Sequence, residues 1–433
     1  MGVSAAWLAR LLEVFHGCAA RVVVDNSDTS AGCRPGDSAL SDIVAVDVRY
    51  RLLPVGMTDE SDHGDKRSLS LILKLLPREP VARRFVTEAE FDVREISFYT
   101  RVVPDLQRFQ RRALAAGAEP LPLPLPQCYA ARFPDQAGSL LVLENLRRRG
   151  YEAVNLSHGL ERSQAEAALR AIAAVHALSL SFKLKENRPL SARYPFLFRT
   201  ARARDSHHQL VERGLPALDT FLRLRPGTER IVAALNALQS SAKDIIGDLL
   251  APIEPIALLT HTDFWSNNLL FRGDQCVILD WQMATYSRPT TDVALLFVTS
   301  LPTPLRRSHT EALLDVYWNA LESGTRRLGV DVRVDANFTR ADLHHHFRWS
   351  QLLALLLCVG SIDVALSEKA TAERLVDVLT DLEADGLLAE PPADVRARPS
   401  PESSSDESAA AGPADGSPAT SPAPSTPPTP GSP

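Results

Sequence analysis

Asp263, Asn268 and Asp280 carry the chemistry that can be read from this sequence. The first two lie in HTDFWSNNLLF (261–271), and the third closes CVILD (276–280). An apolar stretch, Ile256–Leu259, precedes the loop, and another, Cys276–Leu279, follows it. If the two stretches pair as a hairpin, Asp280 returns beside the loop. Two carboxylates and an amide oxygen then share one small volume. Hard oxygen donors suit Mg²⁺, which keeps part of its water shell and completes its octahedron with substrate phosphates. The second carboxylate is left to orient or deprotonate an attacking hydroxyl.

Phosphoryl transfer also needs a cation near the nucleotide phosphates. Lys74 is the one charged residue in the apolar run SLSLILKLLP (68–77). An inward-facing lysine needs a carboxylate partner. Glu95 can supply it from the next helical segment, seated between Phe91 and Phe98 at helical spacing.

The elements that must position these groups follow from periodicity. IVAVDVRYRLLP (43–54) alternates as a strand, SLSLILKLLP is a second, and GSLLVLENL (138–146) a third. GMTDESDHGDK (56–66) is a polar loop between the first two. VARRFVTEAEFDVREISFYTRVV (81–103) reads as one helix that Pro104 stops. After Leu146 the pattern is mainly helical, over 161–182, 230–250, 309–328 and 370–385, and LLALLLCVG (352–360) reads as a buried helix. From Pro391 onward Pro, Ser, Ala, Gly, Thr and acids dominate, and such a tail is expected to be disordered.

Bulk properties narrow the function classes. The net charge of −6 and pI near 6.0 give no general reason to bind nucleic acid or an anionic membrane. The five cysteines are scattered, odd in number and without a CxxC, which fits reduced thiols and a cytoplasmic protein. Arg10 and Glu13 interrupt the amphipathic N-terminal stretch, a poor signal peptide, and LLALLLCVG is too short to span a bilayer. His176 lies on an apolar helical face and reads as a hydrogen-bonded core histidine. His344, His345 and His346 point about 100° apart on a helix and cannot converge on one ion. Trp281 and Trp349 fit either a substrate pocket or core packing.

HTDFWSNNLLF followed by VILDWQ resembles the catalytic and metal-binding segments of the ecdysteroid kinase-like family, within the aminoglycoside and choline kinase superfamily of the protein-kinase-like fold. GCRPGDSALSDIVAV resembles its nucleotide loop, SLILKLLP its lysine strand, and REISFYTRVVPDL its glutamate helix. LLVLENLRRRGY resembles its hinge strand, and RPTTDVALLF the segment after the metal site. The similarity runs from about Gly32 to about Leu387.

That resemblance implies roles. Asp263 is the catalytic aspartate, Asn268 and Asp280 hold Mg²⁺, and Lys74 contacts the ATP phosphates and pairs with Glu95. Gly32, Gly36, Ser38 and Ser41 form the nucleotide loop. Backbone groups around Glu144 and Asn145 meet the adenine edge. His261 braces the catalytic loop, and Asp292 anchors it from within the large lobe. Two positions depart from the family pattern. Thr262 stands where glycine is usual and would be strained at positive φ, and Ser38 stands where asparagine is more frequent.

The expected protein is α+β and bilobal. A helical extension covers 1–31, a β-rich small lobe 32–144, a helical large lobe 145–390, and a tail 391–433. The expected activity is transfer of the γ-phosphoryl group of MgATP to a small-molecule alcohol, a steroid or xenobiotic alcohol first and a choline-like amino alcohol second. No nucleic-acid or membrane partner is expected. The rival reading is a pseudokinase that keeps the fold as a binding or scaffold protein.

Overall fold

The computed structural model describes residues 3–17, 20–33, 40–54, 64–135, 138–186, 189–198 and 200–395. Gly36 and Ser38 of the nucleotide loop, most of the 56–66 loop, and the tail beyond Val395 lie outside the described residues.

The small lobe begins with helix α1 (Ala5–Phe15) and strands β1 (Ala20–Ala31), β2 (Asp42–Pro54) and β3 (Asp65–Leu75). Helices α2 (Pro80–Glu88), α3 (Phe91–Ser97) and α4 (Val103–Ala113) follow, then strands β4 (Cys128–Arg132) and β5 (Leu140–Glu144). The strands form one antiparallel sheet in the order β1-β2-β3-β5-β4. Alternation along β3 sets the orientation of Lys74. Leu71 and Leu73 join Leu8 and Leu12 of α1 in a core on one face. Lys74, one residue on and opposite Leu141 of β5, points to the other face, which the segment from α3 to α4 covers.

Two expectations for this lobe are corrected. The helical extension over 1–31 ends at Phe15, and Ala20–Ala31 is the edge strand of the sheet, paired with β2 along its length. Its valines, Val22 to Val24, favour the pleated conformation. The expected single helix over 81–103 is divided, and Pro104 does not stop it. Glu90 adopts a left-handed conformation (φ 57°) between α2 and α3. Phe98–Val102 form a π turn in which the Val103 N–H reaches back to the Phe98 carbonyl, and the chain then continues as α4 through Pro104. Proline lacks the N–H of an ordinary helical ladder, and it falls at the first turn of α4, where that loss is tolerated.

The large lobe is built around α5 (Arg162–Lys185), which is buried along most of its length. It lies against the helix Thr303–Arg327 so closely that a Cβ on Gly324 would come within 2.8 Å of the Ala177 Cβ. Among the described residues α5 alone is long and apolar enough to cross a membrane, and here it forms the centre of the core. The predicted helix over 230–250 is two helices, Glu229–Gln239 and Ala242–Leu250.

Short strands carry the loop. They are β6 (Glu152–Ala153), β7 (Leu258–Thr260), β8 (Leu269–Arg272), β9 (Gln275–Ile278) and β10 (Thr285–Ser287). The predicted pairing of the stretch before the loop with the stretch after it does not occur. β9 pairs with β8, and β7 pairs with β10. The Gly273–Asp274 turn closes the real hairpin, and Gly273 takes the left-handed φ of 58° that the turn needs. The tail also starts later than predicted. Pro391 and Val395 are buried, and Arg288 Nη1 donates to the Val395 carbonyl at 2.9 Å.

Candidate active site

Asp280 returns to the loop through β8 and β9. The Leu279 N–H donates to the Asn268 carbonyl at 2.8 Å, which places the end of β9 against the loop. Asp280 itself turns out of the strand in a left-handed conformation (φ 61°). Its Oδ1 lies 2.5 Å from Lys74 Nζ, and Glu95 Oε2 lies 2.6 Å from the same nitrogen. A small-lobe strand, a small-lobe helix and a large-lobe turn thus meet at one ammonium.

The charges follow from that placement. Burial works against the Lys74 ammonium, but the carboxylates of Asp280 and Glu95 overcome it and hold its proton more tightly than usual. Burial pushes the Glu95 carboxyl up to about 7, while Lys74 opposes the rise. The other oxygen of Glu95, Oε1, accepts from the Trp281 N–H at 3.3 Å. Trp281 stacks on Phe98, with ring centroids 4.1 Å apart and planes within 5°. Both rings are fully buried, so Trp281 belongs to the core. Arg94, beside Glu95, donates through Nη1 to the Ala284 carbonyl at 3.0 Å. The glutamate helix is therefore fastened to the Asp280–Ala284 segment by a stack, a carboxylate and a guanidinium.

Asp263 is half-buried on the loop. Asn268 Nδ2 donates to its Oδ2 at 2.8 Å and to its carbonyl at 2.9 Å. Burial pushes the Asp263 carboxyl up, His261 pulls it back, and the charge of Asp280 adds to the rise. His261 Nε2 donates to the Leu279 carbonyl at 2.8 Å, which leaves Nδ1 to accept the Asp263 N–H at 3.2 Å. Asp292, fully buried, accepts from the His261 N–H and the Thr262 N–H, each at 2.7 Å. His176 lies behind it, with Nε2 3.0 Å from Asp292 Oδ2 and Nδ1 2.8 Å from the Tyr317 hydroxyl.

Thr262 has a φ of 64°, the left-handed conformation that a β-branched residue resists. Its hydroxyl lies 3.0 Å from that of Thr260 and 2.9 Å from that of Thr285. This threonine cluster has no sequence signal beyond its scattered residues, because β7 and β10 become neighbours only on folding.

The remaining sequence candidates fall as follows. Gly32 follows β1, and its N–H donates to the Ile43 carbonyl at 3.0 Å. A Cβ there would lie 2.5 Å from Ile43 Cγ2, so the close strand crossing itself demands glycine. Ser41 is buried and lines a narrow cavity with Lys74, Glu95, Asp92 and Gln282. The Glu144 N–H donates to the Gln127 carbonyl and the Asn145 N–H to the Ser70 carbonyl, at 2.8 and 3.0 Å. Both donors are used within the small lobe. Arg94 gives no sequence signal, since a lone helical arginine carries no pattern.

The sequence matches the ecdysteroid kinase-like family over residues 35–330, more than half of the chain. The chain belongs to the ecdysteroid kinase-like family. The family match ends well before the last long helix, Lys369–Ala384. Solved structures similar to this ecdysteroid kinase-like protein include a choline kinase from Cryptosporidium parvum, at 13% identity over 79% of this chain and 88% of that one, with a TM-score of 0.39. An ethanolamine kinase from Plasmodium vivax matches at 11% identity over 88% and 90%, with a TM-score of 0.38. A putative fructosamine-3-kinase from Thermobifida fusca matches at 17% over 88% and 100%, with a TM-score of 0.37. No curated protein matches the sequence.

Proposed function

We propose that this protein transfers the γ-phosphoryl group of MgATP to a hydroxyl of a small organic molecule in the cytoplasm. The observation that carries the reading is the junction of Lys74, Glu95 and Asp280 beside the Asp263–Asn268 pair. In the proposed reaction Asp263 accepts a hydrogen bond from the acceptor hydroxyl and turns its lone pair toward the γ-phosphorus. The new oxygen–phosphorus bond forms as the bond to the β-bridging oxygen breaks, ADP leaves, and the hydroxyl proton passes to Asp263. Lys74, held by Glu95, neutralises phosphate charge. Asn268 uses its amide nitrogen on Asp263, so its carbonyl oxygen and the Asp280 carboxylate offer the hard oxygen pair that suits Mg²⁺. Mg²⁺ bound there supplies charge neutralisation at the phosphates. Lys74 and Asp280 pair directly, which places the ammonium beside the proposed cation ligand.

Family membership supports an alcohol acceptor, with a steroid or xenobiotic alcohol first and a choline-like amino alcohol as the alternative. The test is ATP consumption with Mg²⁺ across steroid, polyol and amino alcohols, wild type beside Asp263→Asn. Acceptor-dependent turnover is expected to fall about 10²- to 10⁴-fold in the variant. Equal turnover in both would remove Asp263 from the mechanism.

The strained Thr262 motivates the second reading, a pseudokinase. A ligand at 100 times its Kd stabilises the fold by about 2.7 kcal/mol. Thermal unfolding with and without MgATP therefore separates the two readings, and no rise in Tm would favour the pseudokinase.

A further inference from the structure

Trp265 stands two residues beyond Asp263 and has no part in the scheme above. Its backbone is extended (φ −143°, ψ 168°). Burial alternates along this stretch. Phe264 and Ser266 are fully buried, whereas Asp263 and Trp265 are half-buried. The two side chains therefore face the same side of the loop. Asn268 binds both residues, through its side chain to Asp263 Oδ2 and through its N–H to the Trp265 carbonyl at 3.0 Å. The indole Nε1 is buried and makes no hydrogen bond of ordinary distance and angle. A buried donor without a well-formed hydrogen bond is uncommon and calls for a nearby acceptor. Catalytic hydrogen bonds are often long in a ligand-free site and tighten in the reacting complex.

We propose that Trp265 is a positioning residue whose indole N–H closes onto the Asp263 carboxylate as the site fills, fixing the oxygen that faces the acceptor hydroxyl. The Asp263 carboxylate already lies close to the indole N–H, on the side that Asn268 also contacts. The inference rests on the phosphotransfer reading, so its test has an arm that needs no turnover.

The chain contains five tryptophans, which give five indole N–H signals in a ¹⁵N-labelled full-length sample. Trp265→Phe assigns the Trp265 signal by its loss. Asp263→Asn, at fixed pH and with a non-hydrolysable MgATP analogue, should move that signal more than the other four. Unmoved remaining signals show that the variant is folded. A Trp265 signal that stays in place in Asp263→Asn overturns the proposal, whether or not the protein turns over.

The kinetic arm uses an alcohol that the wild type phosphorylates. Trp265→Phe keeps a ring and loses the donor, so kcat should fall on the order of 10-fold or more. The KM for ATP should stay within about two-fold. A Phe variant with wild-type kcat also overturns the proposal. Absence of wild-type turnover counts against the phosphotransfer reading alone and leaves the spectroscopic result to decide Trp265.

Discussion

At Thr262 local preference and tertiary demand conflict. A β-branched residue at φ 64° is strained by about 1–2 kcal/mol. The conformation survives because Asp292 accepts its N–H and the hydroxyls of Thr260 and Thr285 meet its own. Substitution separates the two effects. Thr262→Ala keeps a Cβ in the strained region and loses the hydroxyl contacts, at a cost of about 1–2 kcal/mol. Thr262→Gly loses the same contacts but relieves the strain, so urea unfolding should rank Gly above Ala by about 1 kcal/mol. An Ala variant at least as stable as the Gly variant would show that the strain is absent. Asp263, Asn268, Asp280, Lys74 and Glu95 were legible as candidates from residue type, although the pairing expected to return Asp280 to the loop is replaced by that of β8 with β9. The clamp that Asp292 places on two successive N–H groups could be named only by resemblance, since thirty residues of intervening chain hide it.

The stack of Phe98 on Trp281 ties the glutamate helix to the turn that carries Asp280. Among the interlobe contacts of that helix it buries two whole rings, whereas Arg94 and Glu95 contribute hydrogen bonds to the segment. Phe98→Ala should therefore cost about 3–5 kcal/mol in urea unfolding, with Phe98→Leu well below that. A Phe98→Ala protein within about 1 kcal/mol of wild type would mean that the lobes are joined elsewhere. Short elements carry the least sequence signal. β7 and β9 span three and four residues, too few for a pattern that selects one partner over another. The π turn before α4 is equally silent, since a shift of one residue in a helical ladder leaves the apolar spacing almost unchanged.

Across the whole molecule, the buried edge of the large lobe makes stability depend on acid. His346 stands on the helix Arg340–Val359, packed against Phe338, and its Nδ1 is buried without a partner. Burial pushes its pKa down to about 4, and the charge of Arg288 adds to the shift. An unfolded histidine titrates near 6.5. Between those values the unfolded chain binds the extra proton. The contribution is therefore full above pH 6.5 and is lost as pH falls toward 4. His346→Gln should lose less stability than wild type between pH 7 and 4.5 in parallel urea titrations. Parallel pH slopes would show that His346 does not titrate on unfolding.

Taken alone, the sequence determined the α+β lobes, the helices around α5, and the order of Lys74, Glu95, Asp263, Asn268 and Asp280. Those features are local, set by apolar period and residue chemistry. Tertiary structure alone decided that β7 joins β10, that Thr262 is held left-handed, that the Glu144 and Asn145 N–H groups are taken, and that Val395 caps Arg288. Each depends on segments distant in the chain competing for the same hydrogen-bonding groups, and that competition is settled only when the core closes.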